Sequence, residues 1–225
     1  MSRTNRQLIR QIYARLESEN RPLSARLIRA FELADRRYFV PRSLSPGEIY
    51  SDHPIPIGQG QTNSQPFTVA FMLQLLAVEE GNRILDLGSG SGWTTALLSL
   101  LCGPSGHVLG MDRVALLLEF ARANLREWSE QLGGQTSVSA SILSEIKMKI
   151  AGFNPGLPGN KFDRILVSAS AGQIPDELLN QLASPGIMVI PVGNAIVKII
   201  HSPSGKAHTE RYEGFRFVPF IQEQE

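Results

Sequence analysis

The feature that most constrains the fold of this chain is an apolar segment, residues 84–87, that runs directly into three closely spaced glycines. Gly88, Gly90 and Gly92 are followed by an apolar stretch, residues 93–101, that has the length of a helix. A buried strand that ends in a glycine turn and leads into a helix is typical of an open α/β sheet. Glycines suit this turn because Cβ atoms would prevent a ligand from approaching the backbone closely.

Predicted strands and helices alternate through the middle of the chain. The apolar patterns predict strands over residues 83–87, 107–111, 137–141, 164–168 and 187–192, and helices from Thr68 to Leu76, over 93–101 and 114–128, and from Pro175. This alternation implies a mostly parallel, doubly wound sheet. The end of the chain differs, because residues 195–202, 208–212 and 215–220 predict antiparallel strands.

The first 66 residues predict a helical extension and an irregular segment. Leu8, Ile9, Ile12 and Leu16 recur at helical spacing, and Ser24 is a candidate N-cap for a second helix. Residues 40–66 are broken by five prolines and three glycines, and long irregular segments in compact domains tend to be functional. We therefore expect one domain over residues 1–225, in which residues 1–66 cover the ligand site and residues 67–225 form the core.

Composition and charge exclude several classes of protein. The formal net charge of +1 argues against a nucleic-acid binder that works through bulk charge, although nine arginines and four acidic residues lie within residues 1–37. That basic segment forms either a solvated helix face or a surface that attracts RNA or acidic partners. The single cysteine, Cys102, suits a reducing compartment, and we expect a cytoplasmic protein. The four histidines show no metal-ligand spacing, and no apolar run is long enough to span a membrane.

The glycine turn can be compared with the motifs that bind three classes of ligand. A Walker loop would continue with Lys and Ser or Thr after its last glycine, but Trp93 follows Gly92 here. A dinucleotide loop would need a glycine at position 93. The observed spacing resembles motif I of S-adenosylmethionine-dependent methyltransferases, in which Asp86 would hold the methionine moiety. Asp112 lies 20 positions after Gly92, where an acidic side chain meets ribose hydroxyls, although it could equally cap a helix.

The chemical class of the methyl acceptor is inferred by excluding alternatives. Residues 168–172, Ser-Ala-Ser-Ala-Gly, lack the Pro-Pro-aromatic pattern of enzymes that methylate exocyclic amines of bases. Cys102 lies within a predicted helix, away from the position of a nucleophile that attacks pyrimidines. No acidic cluster for magnesium is evident in the sequence. A carboxylate acceptor is attractive because, with a pKa of about 4, it is ionised at neutral pH and needs no general base.

Residues 57–66, Ile-Gly-Gln-Gly-Gln-Thr-Asn-Ser-Gln-Pro, closely resemble the signature of protein-L-isoaspartate O-methyltransferases. The chain also resembles further blocks of that family, in the same order. These blocks are residues 38–41, 85–92, 162–165, 174–175, 181–182, 186–193 and 217–219. The resemblance therefore covers nearly the whole chain. It implies a Rossmann-like class I methyltransferase fold, with an N-terminal helical extension and antiparallel C-terminal strands.

The resemblance also implies an activity and a set of site residues. Members of this family transfer a methyl group from S-adenosyl-L-methionine to the free carboxylate of L-isoaspartyl residues in damaged proteins, which begins their repair, and release S-adenosyl-L-homocysteine without a metal. Ser64 maps onto the active-site serine. The cofactor would be bound by Thr62, Asn63, Asp86, Gly88, Ser89, Gly90, Gly92, Asp112, Arg113, Ser141 and Ile142. The substrate would contact Ile57, Ser64, Ala169, Ser170 and Ala171.

Three departures from the family pattern indicate a divergent branch. Asn63 stands where the family usually has isoleucine, and residues 141–143 stand where a Gly-Asp-Gly turn would place an aspartate against the adenine. Asn194 follows the Pro-Val-Gly block, after which many members carry a glutamine. Two alternatives therefore stay open: a methyltransferase with another acceptor, such as a specialised peptide carboxylate or an RNA, and a module that binds the cofactor without turnover. We expect a monomer that acts on damaged proteins, with neither a membrane nor a nucleic acid as partner.

Overall fold

The computed structural model describes residues 4–134, 142–152, 157, 159–204 and 206–219. A 3₁₀ helix covers Arg36–Phe39. The α-helices are α1 (Asn5–Ser18), α2 (Ala25–Leu33), α3 (Pro46–Ile49), α4 (Pro66–Leu76), α5 (Trp93–Cys102), α6 (Ala115–Gly133) and α7 (Asp176–Leu179). The strands are β1 (Ile55–Gly58), β2 (Gln61–Asn63), β3 (Arg83–Leu87), β4 (His107–Asp112), β5 (Glu145–Ile150), β6 (Phe162–Val167), β7 (Leu182–Val192), β8 (Ala195–His201) and β9 (Ala207–Glu213).

Seven of these strands form one sheet in the order β5-β4-β3-β6-β7-β8-β9. The pairs among β5, β4, β3, β6 and β7 are parallel, whereas β8 and β9 are antiparallel to their neighbours. The chain runs outward from β3 to β5 and then returns to β6 on the other side of β3. Because strand order reverses between β3 and β6, a crevice opens at their carboxyl ends, where open α/β sheets bind ligands. The predicted doubly wound sheet with antiparallel C-terminal strands is confirmed.

The strand beside β4 is not where the sequence placed it. The predicted strand over residues 137–141 lies outside the described residues, and the strand that pairs with β4 is Glu145–Ile150. This strand is at the edge of the sheet, so charged residues alternate with partly buried ones and no apolar run marks it. Its carboxyl end, next to Asp112, is followed by Ala151 and Gly152.

The last predicted strand, residues 215–220, is also wrong within its described part. Residues 215–218 have no regular secondary structure, and Pro219 forms only an isolated parallel bridge with Ser170. The ring of Phe215 stacks on Phe71 with centroids 5.0 Å apart, and the amide of Ser170 donates to the carbonyl of Val218 at 2.8 Å. These contacts draw the segment across the carboxyl edge of the sheet, so that it borders the crevice instead of extending the sheet.

The N-terminal helices share the hydrophobic core of the sheet. Helix α1 buries Leu8, Ile9, Ile12 and Leu16, as its spacing predicted, in the same apolar cluster as residues of α2, α4 and α5. Two indole N–H groups fasten the end of α2 to this core. Trp93 Nε1 donates to the carbonyl of Ala34 and Trp128 Nε1 to that of Leu33, each at 2.9 Å. No helix in the described ranges is long and apolar enough to cross a membrane.

Candidate functional site

The turn between β3 and α5 depends on glycine at three positions. Gly88, Gly90 and Gly92 have φ angles of +80°, +52° and +88°, in the left-handed region that disfavours residues with a Cβ atom. A Cβ atom on Gly90 would lie 3.3 Å from Cδ1 of Ile57, so the turn also packs closely on β1. The backbone of the turn is thus exposed to the crevice on one side and supported by the N-terminal segment on the other.

Asp112 fixes the shape of this turn from the end of β4. Its Oδ2 accepts from the amide of Gly90 at 2.8 Å, and its Oδ1 accepts from the amide of Val114 at 2.9 Å, just before α6 begins. The carboxylate therefore holds the turn and the start of α6 together. It also lines the crevice, so each oxygen has a second lone pair available for a ligand hydroxyl.

A cavity of about 790 Å³ occupies the crevice at the carboxyl ends of β3, β4, β5 and β6, a volume suited to a cofactor-sized ligand. The predicted site residues that line it are Thr62, Asn63, Ser64, Gly88, Ser89, Gly90, Asp112, Arg113, Ala169 and Ala171. Sequence reasoning missed another group of lining residues, which includes Leu117, Ala151, Gly152, Gln173, Asp176, Glu177, Val218 and Pro219. A correct placement of β5 would have identified Ala151 and Gly152, because they follow its carboxyl end.

Several predicted site residues lie elsewhere in the structure. Gly92 faces α6, where an added Cβ atom would come within 3.2 Å of Leu125, so this glycine allows helix packing. Ile57 packs beneath the glycine turn, and Ser170 does not line the cavity. Ser141 lies outside the described residues. Ile142 precedes β5 at the amino ends of the parallel strands, away from the cavity, and packs against the apolar core.

Asp86 is buried beneath the turn and does not line the cavity. Its Oδ2 accepts hydrogen bonds from the hydroxyls of Thr94 and Thr95 at 2.8 and 2.6 Å. Burial raises the pKa of Asp86 to about 6, the two threonine hydroxyls counteract this, and the charge of Asp112 adds to it. The carboxylate therefore joins the end of β3 to the first turn of α5, where Thr94 lines the cavity.

The cavity has the features that a cationic nucleoside ligand requires. Within the described part of the chain, the buried Ser89 hydroxyl has no hydrogen-bond partner, and this serine lines the cavity. An unpaired buried hydroxyl is costly unless a ligand or water satisfies it. Asp112, Asp176 and Glu177 contribute three carboxylates to the wall, beside Arg113. The described residues contain no cluster of three or more His, Cys, Asp or Glu side chains that could hold a metal ion.

A buried guanidinium organises the segment that leads into the cavity. Arg36 has no exposed surface, and burial lowers its pKa to about 9 despite the nearby charge of Asp52. The Arg36 side chain donates to main-chain oxygens of both arms of this segment, at 2.8 to 3.3 Å: those of Ile49, Ser51, His53, Asn63 and Ser64. One side chain therefore sets the backbone on both sides of the β1–β2 hairpin.

Asn63 connects this guanidinium to the glycine turn. Its Oδ1 accepts from Nε of Arg36 at 2.8 Å, and its Nδ2 donates to Oγ of Ser91 at 3.1 Å. Asn63 is 5% exposed, so both bonds are protected from water. The polar residue that departs from the family pattern is thus a bridge between the two halves of the site.

A second cleft, of about 760 Å³, adjoins the cavity on the side of the N-terminal helices. Four residues line both spaces and form the boundary between them: Thr62, Ser64, Ser168 and Val218. Three of them present hydroxyl groups. In the described part of the chain no group hydrogen-bonds the Ser64 hydroxyl, whereas the Ser64 carbonyl is held by Arg36 at 3.0 Å.

Comparisons with known proteins identify related chains over the full extent of this one. A family model described as Protein-L-isoaspartate(D-aspartate) O-methyltransferase matches residues 4–225. A protein-L-isoaspartate O-methyltransferase from Methanothrix thermoacetophila is 38% identical over 212 residues, which cover 92% of each chain. A relative of the same name from Methanopyrus kandleri is 36% identical, over 95% of this chain and 91% of its own. Another from Ignicoccus hospitalis is 34% identical over the whole of both chains.

One similar solved structure is a candidate protein-L-isoaspartate O-methyltransferase from Plasmodium falciparum in complex with S-adenosyl-L-homocysteine. It superposes with a TM-score of 0.76 at 22% sequence identity and covers 95% of this chain and 98% of its own. This likeness confirms the methyltransferase fold.

The raised pKa of Asp86 predicts a specific pH dependence of stability. Because the folded-state pKa lies above the ordinary one, the favourable contribution is complete below pH 4 and lost as the pH rises through about 6. Asp86 alone should lower the free energy of unfolding by about 3 kcal/mol between pH 4 and 7. Urea unfolding without cofactor should show that Asp86→Asn removes this slope, whereas Glu32→Gln, at an exposed position, keeps it. If the free energy of unfolding of Asp86→Asn changed with pH in parallel with that of the wild type, the prediction would be contradicted.

The Asn63 bridge predicts that the family's usual isoleucine is unfavourable in this chain. Asn63→Ile leaves Nε of the buried Arg36 and the hydroxyl of Ser91 without their partner. We expect the free energy of unfolding to fall by about 1–3 kcal/mol, since unsatisfied buried donors carry that penalty. Ser91→Ala removes only the second bond and should cost less in urea unfolding. A variant Asn63→Ile as stable as the wild type would show that the bridge does not stabilise the fold.

Proposed function

The chain belongs to the protein-L-isoaspartate(D-aspartate) O-methyltransferase family, and from this premise we propose which of its residues carry out the family's reaction. The enzyme transfers a methyl group from S-adenosyl-L-methionine to the free carboxylate of L-isoaspartyl residues in damaged proteins. S-Adenosyl-L-methionine supplies the activated methyl group. The product is a methyl ester, which begins the repair of the damaged residue.

The observation that carries the proposal is the boundary between the two spaces. Thr62, Ser64 and Ser168, which carry hydroxyl groups, line both the cavity and the cleft, and Val218 completes the boundary. A methyl donor on one side and a carboxylate on the other would meet only here. None of these four side chains is a strong base, which suits an acceptor that is already ionised at neutral pH.

The donor side of the boundary uses the glycine turn and the acidic wall. The backbone of Gly88 and Gly90 and the unpaired hydroxyl of Ser89 face the cavity, and the lone pairs of Asp112 are available to ribose hydroxyls. Asp176 and Glu177 add negative charge at the wall that follows β6, which favours a ligand with an ammonium and a sulfonium group. Adenine would lie against Ala151 and Gly152, which replace the acidic residue expected there.

The acceptor side depends on Ser64. Its hydroxyl has no partner among the described residues, so we propose that it donates a hydrogen bond to the isoaspartyl carboxylate. Arg36 holds the Ser64 main chain, which orients this hydroxyl toward the boundary. Negative charge on the carboxylate decreases during transfer, so a single neutral donor positions the oxygen without overstabilising the ground state.

We propose fewer backbone contacts to the substrate than the family resemblance implies for residues 169–171. The amide of Ser170 donates to Val218 and that of Ala171 donates to Pro191, at 2.8 and 3.0 Å. Within the described part of the chain, the amide of Ala169 has no such acceptor, which leaves it free to contact the isoaspartyl group.

We also propose that residues 1–225 act as one domain and as a monomer in the cytoplasm. The N-terminal helices share an apolar cluster with the sheet, and one chain lines both spaces, so no second copy is needed to complete them. The single cysteine, Cys102, is buried and unpaired, as suits a reducing compartment.

The activity itself is tested with a pair of peptides. A short peptide with one L-isoaspartyl residue and its normal aspartyl twin are incubated with the enzyme and methyl-labelled S-adenosyl-L-methionine. We expect base-labile label in the isoaspartyl peptide alone, because only that peptide offers a free α-carboxylate beside the β-linkage. Cofactor binding without label in either peptide would overturn the proposed acceptor and leave the fold unaffected.

The role of Ser64 predicts a separation between turnover and cofactor binding. Ser64→Ala should lower kcat/KM for the isoaspartyl peptide on the order of 10- to 100-fold, the value of one hydrogen bond to a charged group. The Kd of S-adenosyl-L-homocysteine, measured by calorimetry, should change less than about twofold. Ser129→Ala, on α6 and away from both spaces, serves as the matched control. Equal losses of turnover and cofactor affinity would contradict the role assigned to Ser64.

A further inference from the structure

The cleft beside the cavity carries a charge pattern that the methyl-transfer reaction does not use. Arg15 and Arg21, from the Arg-rich N-terminal segment, line it together with Arg216, which follows β9. Aromatic side chains, among them Phe67 and Tyr212, form apolar surface between these arginines. The cleft is therefore both basic and aromatic directly beside the proposed acceptor site.

The two N-terminal arginines are held in place by aromatic rings. The guanidinium carbon of Arg15 lies 3.5 Å from the ring centroid of Phe67. That of Arg21 lies 5.2 Å from the centroid of Phe71 and 4.8 Å from that of Tyr212. A ring occupies only the face of a guanidinium, so N–H groups along its edge remain able to bind a carboxylate, although Arg21 also interacts with the Tyr212 hydroxyl.

The positive charge of the cleft is only partly compensated. Arg15 lies 3.8 Å from both Glu19 and Asp52, at the outer limit of an ion pair. Among the described residues, no carboxylate lies within ion-pair distance of Arg21 or Arg216.

The nearby acidic side chains are engaged with other groups. Glu213 in the cleft pairs with Arg211 at 2.6 Å. Glu210 accepts the hydroxyl of Tyr212 at 2.5 Å and lies 3.8 Å from Lys198. The hydrogen bond from Tyr212 lowers the pKa of Glu210 and the charge of Arg21 lowers it further, so Arg21 is partly compensated. Among the arginines of the cleft, Arg216 is therefore the one for which the described residues provide no carboxylate partner.

We propose that this cleft binds the chain that flanks the isoaspartyl residue and selects substrates with an acidic side chain close to it. Arg21 and Arg216 would pair with that carboxylate, and the aromatic surface would pack against the apolar atoms of the flank. This inference rests on the proposed function, because it places the substrate peptide across the boundary at Ser64. It also gives the basic N-terminal segment a role that does not require RNA.

The test uses three isoaspartyl peptides that differ only in the neighbouring side chains, which are Glu, Gln or Lys. At low salt, kcat/KM should fall from Glu to Gln to Lys by roughly two- to fivefold at each step, the range of partly exposed ion pairs. At high salt the ratio of Glu to Lys should approach one, because the ions screen the pairing.

Variants then assign the preference to the cleft. Arg21→Gln and Arg216→Gln should each reduce the ratio of kcat/KM between the Glu and Lys peptides. Arg29→Gln, an exposed arginine of α2 that pairs with Glu32 outside the cleft, should leave that ratio unchanged. A mixed-sequence RNA oligonucleotide is added as a competitor to distinguish nucleic acid from peptide.

Each result decides the inference. Equal methylation of the three peptides would overturn the acidic preference while leaving the proposed function intact. Absence of label in all three, with normal binding of S-adenosyl-L-homocysteine, would overturn both. Stronger inhibition by the RNA than by a non-methylatable acidic peptide would overturn the assignment of the cleft to peptide.

Discussion

The architecture of the site depends on one buried charge. Arg36 lies in the 3₁₀ helix after α2, has no exposed surface, and hydrogen-bonds the backbone on both sides of the β1–β2 hairpin. A buried guanidinium is tolerated only when its N–H groups are satisfied, and here carbonyl oxygens and the amide of Asn63 satisfy them. Because the same contacts hold the main chain of Ser64, the hydrogen bonds that satisfy this charge also position the residue that we propose to bind the isoaspartyl carboxylate. Stability and positioning therefore depend on the same hydrogen bonds.

The two spaces on either side of Ser64 carry opposite charges. The cavity is lined by Asp112, Asp176 and Glu177 beside one arginine, whereas the cleft is lined by three arginines and two glutamates. A methyl donor with a sulfonium centre suits the acidic side, and a carboxylate acceptor suits the basic side. The hydroxyl-bearing boundary between them is close to neutral, which suits a reaction in which both charges disappear.

The sequence predicted the central part of the fold because its signals are local. A buried strand, a glycine turn and an apolar helix each leave a pattern within about twenty residues, so β3, β4, α5 and the glycine turn were predicted correctly. The edge strand β5 was misplaced because four of its six residues are exposed to solvent. The role of Arg36 was not predicted, since its partners lie 13 to 28 positions away and an arginine in a basic segment is usually exposed. The role of Gly92 was also predicted wrongly, because the sequence does not distinguish a glycine that allows helix packing from one that faces a ligand.

The interface between the end of α2 and the core contains both tryptophans of the chain. Trp93 and Trp128 donate to consecutive carbonyl groups at the end of α2, and Trp93 also borders the cavity. Tryptophan emission from the folded protein therefore originates almost entirely at this junction, without any engineered probe. One indole reports whether the N-terminal helices are docked, while the other reports in addition on what occupies the space beside it. The spectroscopic signal of the molecule is thus located where its covering segment meets its catalytic core.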